Sequence, residues 1–275
     1  MARRAVGMNI EGLLKLALID PLDARILLAH ALQCTRVQLV IRSKDELTPQ
    51  QVTDVSALFM RRMQGEPIAY LVGEREFYGL KFEVTPDVLI PRPETEMLVE
   101  LASERLPKGG SAIDLGTGSG AIAVSLAHAR RDADLSAADI SESALAVARR
   151  NAATHGVSVK FLHSDWFSTV SGSFDVIASN PPYIAASDPH LAQGDLRFEP
   201  RGALTDGANG MMHIAALIDG APACLKPGGW LLMEHGYDQS SATRALLERA
   251  GWQQVQSWTD LAGIERVTGG VRPPA

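Results

Sequence analysis

The most informative tetrapeptide in the chain is Asn180-Pro181-Pro182-Tyr183, which closes the apolar run Phe174 to Ser179. Two successive prolines donate no backbone hydrogen bond and hold φ near about −65°, while a residue preceding proline is steered towards extended backbone. The product is a stiff loop of acceptors. A planar NH2 group could donate one hydrogen to the Asn180 side-chain oxygen and the other to the Pro181 carbonyl, with Tyr183 stacked on its plane. An amide or aryl amine is a poor nucleophile because its lone pair is delocalised, and two fixed acceptors favour the charge that develops on its nitrogen during alkylation. The bland alternative is a rigid turn with no chemistry. The position at a strand's carboxyl end speaks for function.

A second constellation is Asp114-Leu115-Gly116-Thr117-Gly118-Ser119-Gly120, which runs directly into the apolar stretch Ala121 to Ala129. Glycines there let backbone approach a ligand, and the following helix N-terminus could hold a phosphate or a carboxylate. The spacing is GxGxG, not the GxGxxG of dinucleotide enzymes. The next strand-like run ends at Asp139, 19 residues beyond Gly120, where a carboxylate can accept from both hydroxyls of a ribose. Together they suggest an adenosine-bearing cofactor. The structural alternative has Asp114 bracing the loop and Asp139 capping the helix from Ser141 to Arg150. Ser164-Asp165-Trp166-Phe167 adds an acceptor beside a large π face, which would suit a purine, although a single tryptophan is often just a core residue.

Other polar residues carry less. His163, His190, His213 and His235 are scattered with no metal-ligand spacing, so they read as structural and no metal is expected. Glu234-His235 ends a strand, where a capping or supporting role outweighs catalysis. Ser119 has no GxSxG elbow, which leaves nucleophilic hydrolysis without support. Arg61-Arg62 and Arg149-Arg150 read as solvated helix faces.

The elements that must position these residues follow from periodicity. Strand-like runs at Ser111–Leu115, Asp134–Asp139, Ser158–Leu162, Phe174–Ser179, Gly229–Glu234 and Trp252–Trp258 are separated by helical stretches, notably Ala121–Ala129, Ser143–Thr154, Met211–Cys224 and Gln239–Ala250. Repeated β-α-β predicts an α/β fold, a doubly wound, mostly parallel sheet that binds ligands at the carboxyl ends of its strands. Before Gly73 the pattern is helical, with Thr48-Pro49 as an N-cap and first-turn proline. Glu76 to Leu89 alternates, with Gly79 as a turn, and predicts a hairpin linker. Val271 to Ala275 reads as a frayed tail.

The 275 residues accommodate about two domains. Residues 1–90 carry 11 basic and 11 acidic side chains, so the net charge of −6 resides in the remainder, where 15 basic face 21 acidic. No global positive field advertises nucleic acid or an anionic membrane. Cys34 and Cys224 form no disulfide framework, and a reducing cytoplasm is the expected compartment. Arg3 and Arg4 imitate a signal peptide, but Glu11, Lys15 and Asp20 interrupt the apolar region one would need. The longest charge-free stretch, Leu115 to Ala129, is 15 residues with three glycines, too short to span a bilayer.

GxGxG, the acidic strand end and Asn-Pro-Pro-Tyr together resemble the Rossmann-like class I S-adenosylmethionine-dependent methyltransferases that act on amino groups. More specific are Gly65-Glu66-Pro67-Ile68-Ala69-Tyr70-Leu71, Glu76-Phe77-Tyr78-Gly79, Leu89-Ile90-Pro91-Arg92-Pro93-Glu94-Thr95-Glu96 and Arg197-Phe198-Glu199-Pro200. These segments look like the PrmC/HemK family, the N5-glutamine methyltransferases of peptide chain release factors. The resemblance implies a helical substrate-docking domain over 1–73, a hairpin linker over 74–88 and a methyltransferase domain over 89–275. It implies S-adenosyl-L-methionine bound by Gly116, Thr117, Gly118, Ser119, Gly120, Asp139, Trp166 and Asn180. It places the acceptor on Asn180, Pro181, Pro182 and Tyr183, with Asn180, Pro181 and Tyr183 serving catalysis. The acceptor would be the glutamine of the GGQ motif in class 1 release factors, with no stable nucleic-acid or membrane partner. The alternatives are an N6-adenine or N2-guanine nucleic-acid methyltransferase, or a non-catalytic cofactor-binding module that docks a translation factor. One departure is Gly269-Gly270 in the final strand, where a more apolar finish is expected at the sheet edge.

Overall fold

A computed structural model describes residues 7–273; the readings made on Arg3, Arg4, Pro274 and Ala275 fall outside them. The chain divides into two compact units at Gly73.

The first unit holds five helices, α1 (Ile10–Leu16), α2 (Pro21–Ala31), α3 (Arg36–Ile41), α4 (Pro49–Met63) and α5 (Ile68–Val72). Thr48 caps α4 in a reciprocal box with Gln51, and proline fills its first position, where no backbone N–H is needed. Val55 and Phe59, four apart, face inward to meet Leu27 and Leu28 of α2. Arg62 adds an ion pair to Asp23 at 2.7 Å. Leu18 and Leu22 do not join this core and stand 80% and 52% exposed: Leu18 lies beyond the end of α1, and Leu22 lies in the first turn of α2.

The second unit opens with the hairpin β1 (Glu74–Phe77) and β2 (Leu80–Glu83), turned at Tyr78-Gly79. Helix α6 (Glu96–Arg105) follows, then the alternation β3 (Ser111–Leu115), α7 (Ala121–Ala129), β4 (Asp134–Asp139), α8 (Glu142–Thr154), β5 (Lys160–His163), β6 (Phe174–Ser179), α9 (Met212–Cys224), β7 (Leu225–Glu234), α10 (Ser240–Arg249), β8 (Gln253–Thr259) and β9 (Glu265–Val271). The sheet order is β5-β4-β3-β6-β7-β9-β8. The first five strands run parallel and β9 is antiparallel to both its neighbours. Side chains alternate across it: Ala112 joins the core under α6 and α7, whereas Ile113 and Leu115 meet Ile214, Leu217 and Ile218 of α9. The chain leaves β3 to one side for β4 and returns on the other as β6, and a crevice opens where that order reverses.

Two expectations need correction. β9 is flanked on both sides, so Gly269-Gly270 does not finish the edge, and Val271 is paired with Trp230 and Gln253 instead of fraying. A Cβ on Gly269 would stand 2.4 Å from the Leu231 carbonyl oxygen, which is why a larger residue has no place there.

Candidate active site

The crevice is built at the ends of β3, β4 and β6. Ser179 at the end of β6 donates through Oγ to the Leu115 carbonyl at 2.7 Å, so the strand that delivers Asn180 is fastened to the strand that delivers the glycine loop. That loop adopts left-handed backbone at Gly116 (φ +74°) and Gly118 (φ +55°), which only glycine takes without strain. Gly116 and Thr117 donate their N–H groups to the Ala138 carbonyl, and Gly118 N–H donates to Asp139 Oδ2 at 2.8 Å. Asp139 Oδ1 accepts from Ser141 N–H at 2.9 Å. Asp139 therefore braces the loop and the start of α8, and each oxygen keeps a further lone pair for a ligand hydroxyl. Burial raises its pKa above the usual carboxylate value, against the pull of those N–H groups.

Asp114 lies deeper. Its Oδ2 accepts from the Thr117 hydroxyl at 2.6 Å and from Ala123 N–H at 3.2 Å, while Oδ1 has no hydrogen-bond partner. Burial pushes its carboxyl up to about 7, only partly countered by the two donors. Asn151 of α8, which carried no signal in the sequence, clips the loop from behind by donating to the Ser119 carbonyl at 2.9 Å. It also exchanges hydrogen bonds with the backbone of Glu83 at 2.7 and 3.0 Å.

A cavity of about 410 Å³ fills the crevice. Gly116, Gly118, Asp139, Trp166 and Asn180 line it, together with Ile140, Ser141, Asp165, Pro182 and His213. Thr117, Ser119 and Gly120 do not reach it. Thr117 is spent on Asp114, Ser119 is 3% exposed, and Gly120 packs so near Ala148 that a Cβ would stand 3.1 Å from that residue's Cβ. Trp166 holds φ +45°, a conformation costly for a large side chain, and the Ser164 hydroxyl that donates to its carbonyl at 2.9 Å fixes the turn. Its indole stands 3.5 Å from where a Cβ on Gly116 would be, so ring and loop backbone pack closely and together form part of the cavity wall. His213, read as structural from the sequence, instead lies with its ring centroid 5.1 Å from that of Trp166 at the cavity wall. The Trp166 indole, Asp139 and the 65% exposed Ile140, which line the same cavity, fit an adenosine moiety.

A second cavity of about 80 Å³ adjoins it, lined by Leu89, Arg92, Asn180, Pro181, Tyr183 and the loop residues Leu196 and Leu204. Asn180 belongs to both walls, Pro182 to the larger and Pro181 to the smaller. Arg92 pairs with the buried Glu199 at 2.5 Å, and Glu199 also accepts from Ile90 N–H at 3.1 Å, which ties the two loops over this cavity together. Asn180 Nδ2 donates to Thr95 Oγ1 at 3.1 Å, leaving its Oδ1 as the acceptor face. The Tyr183 hydroxyl donates to Glu234 Oε1 at 3.2 Å, and burial raises its pKa far above the usual tyrosine value, so it stays protonated. Burial likewise pushes the Glu234 carboxyl up to about 7.

Two family profiles match the chain, one described as PrmC N-terminal domain over residues 10–73 and one as Methyltransferase small domain over residues 93–196. A release factor glutamine methyltransferase of Burkholderia pseudomallei is 54% identical over 271 residues, covering 95% of each chain. Among solved structures, a methyltransferase from Pyrococcus furiosus is similar with a TM-score of 0.55 and 21% identity, over 80% of this chain and 100% of that one. A T. Thermophilus 16S rRNA methyltransferase in complex with AdoMet and guanosine aligns with a TM-score of 0.52 and 22% identity, over 72% of this chain and 49% of that one. At such identities these two structures speak to the fold alone.

Proposed function

Because the chain belongs to the family of release factor glutamine methyltransferases, we propose that it transfers a methyl group from S-adenosyl-L-methionine to the side-chain amide nitrogen of the GGQ glutamine in class 1 release factors. The observation that carries this reading is the shared wall: Asn180 faces the large cavity fit for adenosine and the small cavity beside Pro181 and Tyr183.

Bound S-adenosyl-L-methionine would supply an electrophilic sulfonium methyl, its S–CH3 bond breaking as the N–CH3 bond forms so that the thioether leaves, and the alkylated amide would release one N–H proton to water. Asp139 would accept from the ribose hydroxyls and the Trp166 indole would pack on the adenine, with His213 beside the indole. Asn180 Oδ1 and the Pro181 carbonyl accept the two hydrogens of the glutamine carboxamide, while Tyr183 packs on its plane. Asn180 and Pro181 thereby orient the nitrogen lone pair towards the large cavity and favour the positive charge that grows on it. Holding nucleophile and methyl carbon at about 3 to 3.5 Å contributes several kcal/mol, and oriented acceptors add about 2 to 4 kcal/mol. Residues up to Gly73 dock the release factor, and the neutral charge of residues 1–90 suits a protein surface better than a phosphate backbone. The reaction belongs in the cytoplasm, where release factors act.

Incubating the enzyme with labelled S-adenosyl-L-methionine and either purified release factor or nucleic acid tests the reading. Mass spectrometry is expected to find the methyl group on the GGQ glutamine; label only in nucleic acid overturns it. Asn180→Ala is expected to lower kcat by about 100-fold to 1000-fold, as loss of one preorganised hydrogen-bonding group does, while cofactor binding persists. Unchanged turnover removes Asn180 from the mechanism.

A further inference from the structure

Two segments that stand out in the sequence, Leu89 to Glu96 and Arg197 to Pro200, have no part in the mechanism above, yet they meet through Arg92 and Glu199. Each of these residues precedes a proline, which steers its backbone to extended geometry: φ −100° and ψ 140° at Arg92, φ −85° and ψ 153° at Glu199. The Glu199 side chain is wholly buried. Its Oε1 accepts from Arg92 Nη2 at 2.5 Å and its Oε2 from Ile90 N–H at 3.1 Å, so both oxygens are engaged. The bond to Glu199 occupies only Nη2 of Arg92, and a guanidinium carries five N–H donors. Three polar side chains line the small cavity, Arg92, Asn180 and Tyr183, amid apolar walls that include Leu89, Leu196 and Leu204. Asn180 Nδ2 is committed to Thr95 and the Tyr183 hydroxyl to Glu234. Of the three, Arg92 has donors to spare.

A carboxamide has two polar ends. The acceptors assigned above, Asn180 Oδ1 and the Pro181 carbonyl, satisfy its NH2, but its carbonyl oxygen would give up water among apolar walls and needs a donor in exchange. We propose that Arg92 is a substrate-binding residue that donates to the carbonyl oxygen of the acceptor glutamine, with Glu199 as the positioning residue that aims it. The planar fork suits this task, since one part of it pairs with Glu199 while another meets the oxygen, and the group stays protonated throughout. Glu199 also keeps the cation paired in apolar surroundings before the acceptor enters. Acceptors at the nitrogen and a donor at the oxygen together exclude the flipped carboxamide. The bond further occupies the oxygen, the other nucleophilic atom of an amide, so that nitrogen is the atom offered to the methyl group.

This inference rests on the glutamine acceptor proposed above. It is tested by calorimetric affinity for release factor, with S-adenosylhomocysteine present, for wild type, Glu199→Gln, and Arg92→Met combined with Glu199→Gln. The combined variant removes the donor without stranding a buried carboxylate; Glu199→Gln alone keeps the donor and an oxygen for it. Each protein is titrated with natural release factor and with factor carrying alanine in place of the GGQ glutamine, which has no side-chain carbonyl. The combined variant is expected to bind natural factor about 10-fold to 100-fold more weakly than wild type does, the range for a lost hydrogen bond to a charged group, and alanine factor within about threefold. Glu199→Gln is expected to lose less than about fivefold on natural factor. Arg92→Lys keeps the charge but lacks the fork, so its kcat/KM should fall about tenfold at an unchanged melting temperature. Equal losses on the two factors, equal losses in Glu199→Gln and the combined variant, or wild-type kcat/KM in Arg92→Lys overturns the role of Arg92. A wild-type enzyme that leaves release factor unmodified overturns instead the acceptor on which that role rests.

Discussion

Asp139 and Glu234 show how one chemical group, the carboxyl, behaves differently according to its surroundings. Asp139 stands at the cavity rim, with N–H donors on both oxygens. Asp139→Ala removes the loop brace together with the proposed ribose acceptor, and is expected to weaken binding of S-adenosyl-L-methionine by about 10-fold to 100-fold in a calorimetric titration, the range for hydrogen bonds to a charged group. Glu234 is sealed beneath the neighbouring loop, and burial raises its pKa from 4.5 to about 7. The folded state holds that proton more tightly than the unfolded chain. Its stabilising contribution is therefore complete below 4.5 and is lost as pH rises through 7, on the order of 3 kcal/mol in all. Urea denaturation should show Glu234→Gln gaining stability relative to wild type at about pH 8.5 but not at about pH 5. Asn180, Asp139 and Trp166, which line the large cavity, were legible in the sequence because each stands at the end of a strand or within three residues of it. Thr95, Asn151 and His213 were not. Thr95 meets Asn180 across 85 residues and Asn151 meets Glu83 across 68, distances at which local pattern holds no information.

The elements around the cavity are joined by a few polar clips instead of continuous packing. Asn151 couples three of them, since it bonds β2 and the glycine loop from a position on α8. Replacing it by alanine strands the Glu83 N–H and two carbonyls, and chemical denaturation should register a loss of about 2 to 4 kcal/mol accompanied by weaker cofactor binding. Helix α6 is held at its far end by Arg105, whose guanidinium sits 4.7 Å from the Trp230 ring centroid and 4.6 Å from that of Trp258. The sequence pattern located most of these elements closely: β3, β4 and β6 fall on their predicted residues, and α7 does too. The misreading of β9 as an edge has a physical cause. Two glycines look like a weak strand end when viewed along the chain, whereas here Gly269 admits the β7 backbone at a distance no Cβ allows.

At the scale of the molecule, the two units divide the work proposed for them. A chain beginning at Glu74 is expected to bind S-adenosyl-L-methionine with little change, because every residue lining the large cavity lies beyond Asp87 or is Asp87 itself. Its KM for release factor should rise far more than its KM for the cofactor; equal KM for intact release factor would show that the helical unit is no docking device. Among the described residues no helix is long and apolar enough to cross a membrane. The sequence alone determined the alternation of strands and helices, the glycine loop, the rigid Asn-Pro-Pro-Tyr corner and the family, because these depend on neighbours a few residues apart and on motifs that read in order. Only the tertiary structure decided that Asn180 lines two cavities, that Thr117, Ser119 and Gly120 are not among the residues lining the larger one, and that the Tyr183 hydroxyl meets a buried carboxylate. Such facts depend on which strand ends lie side by side. The reversal of strand order sets that, bringing together residues that the chain itself keeps far apart.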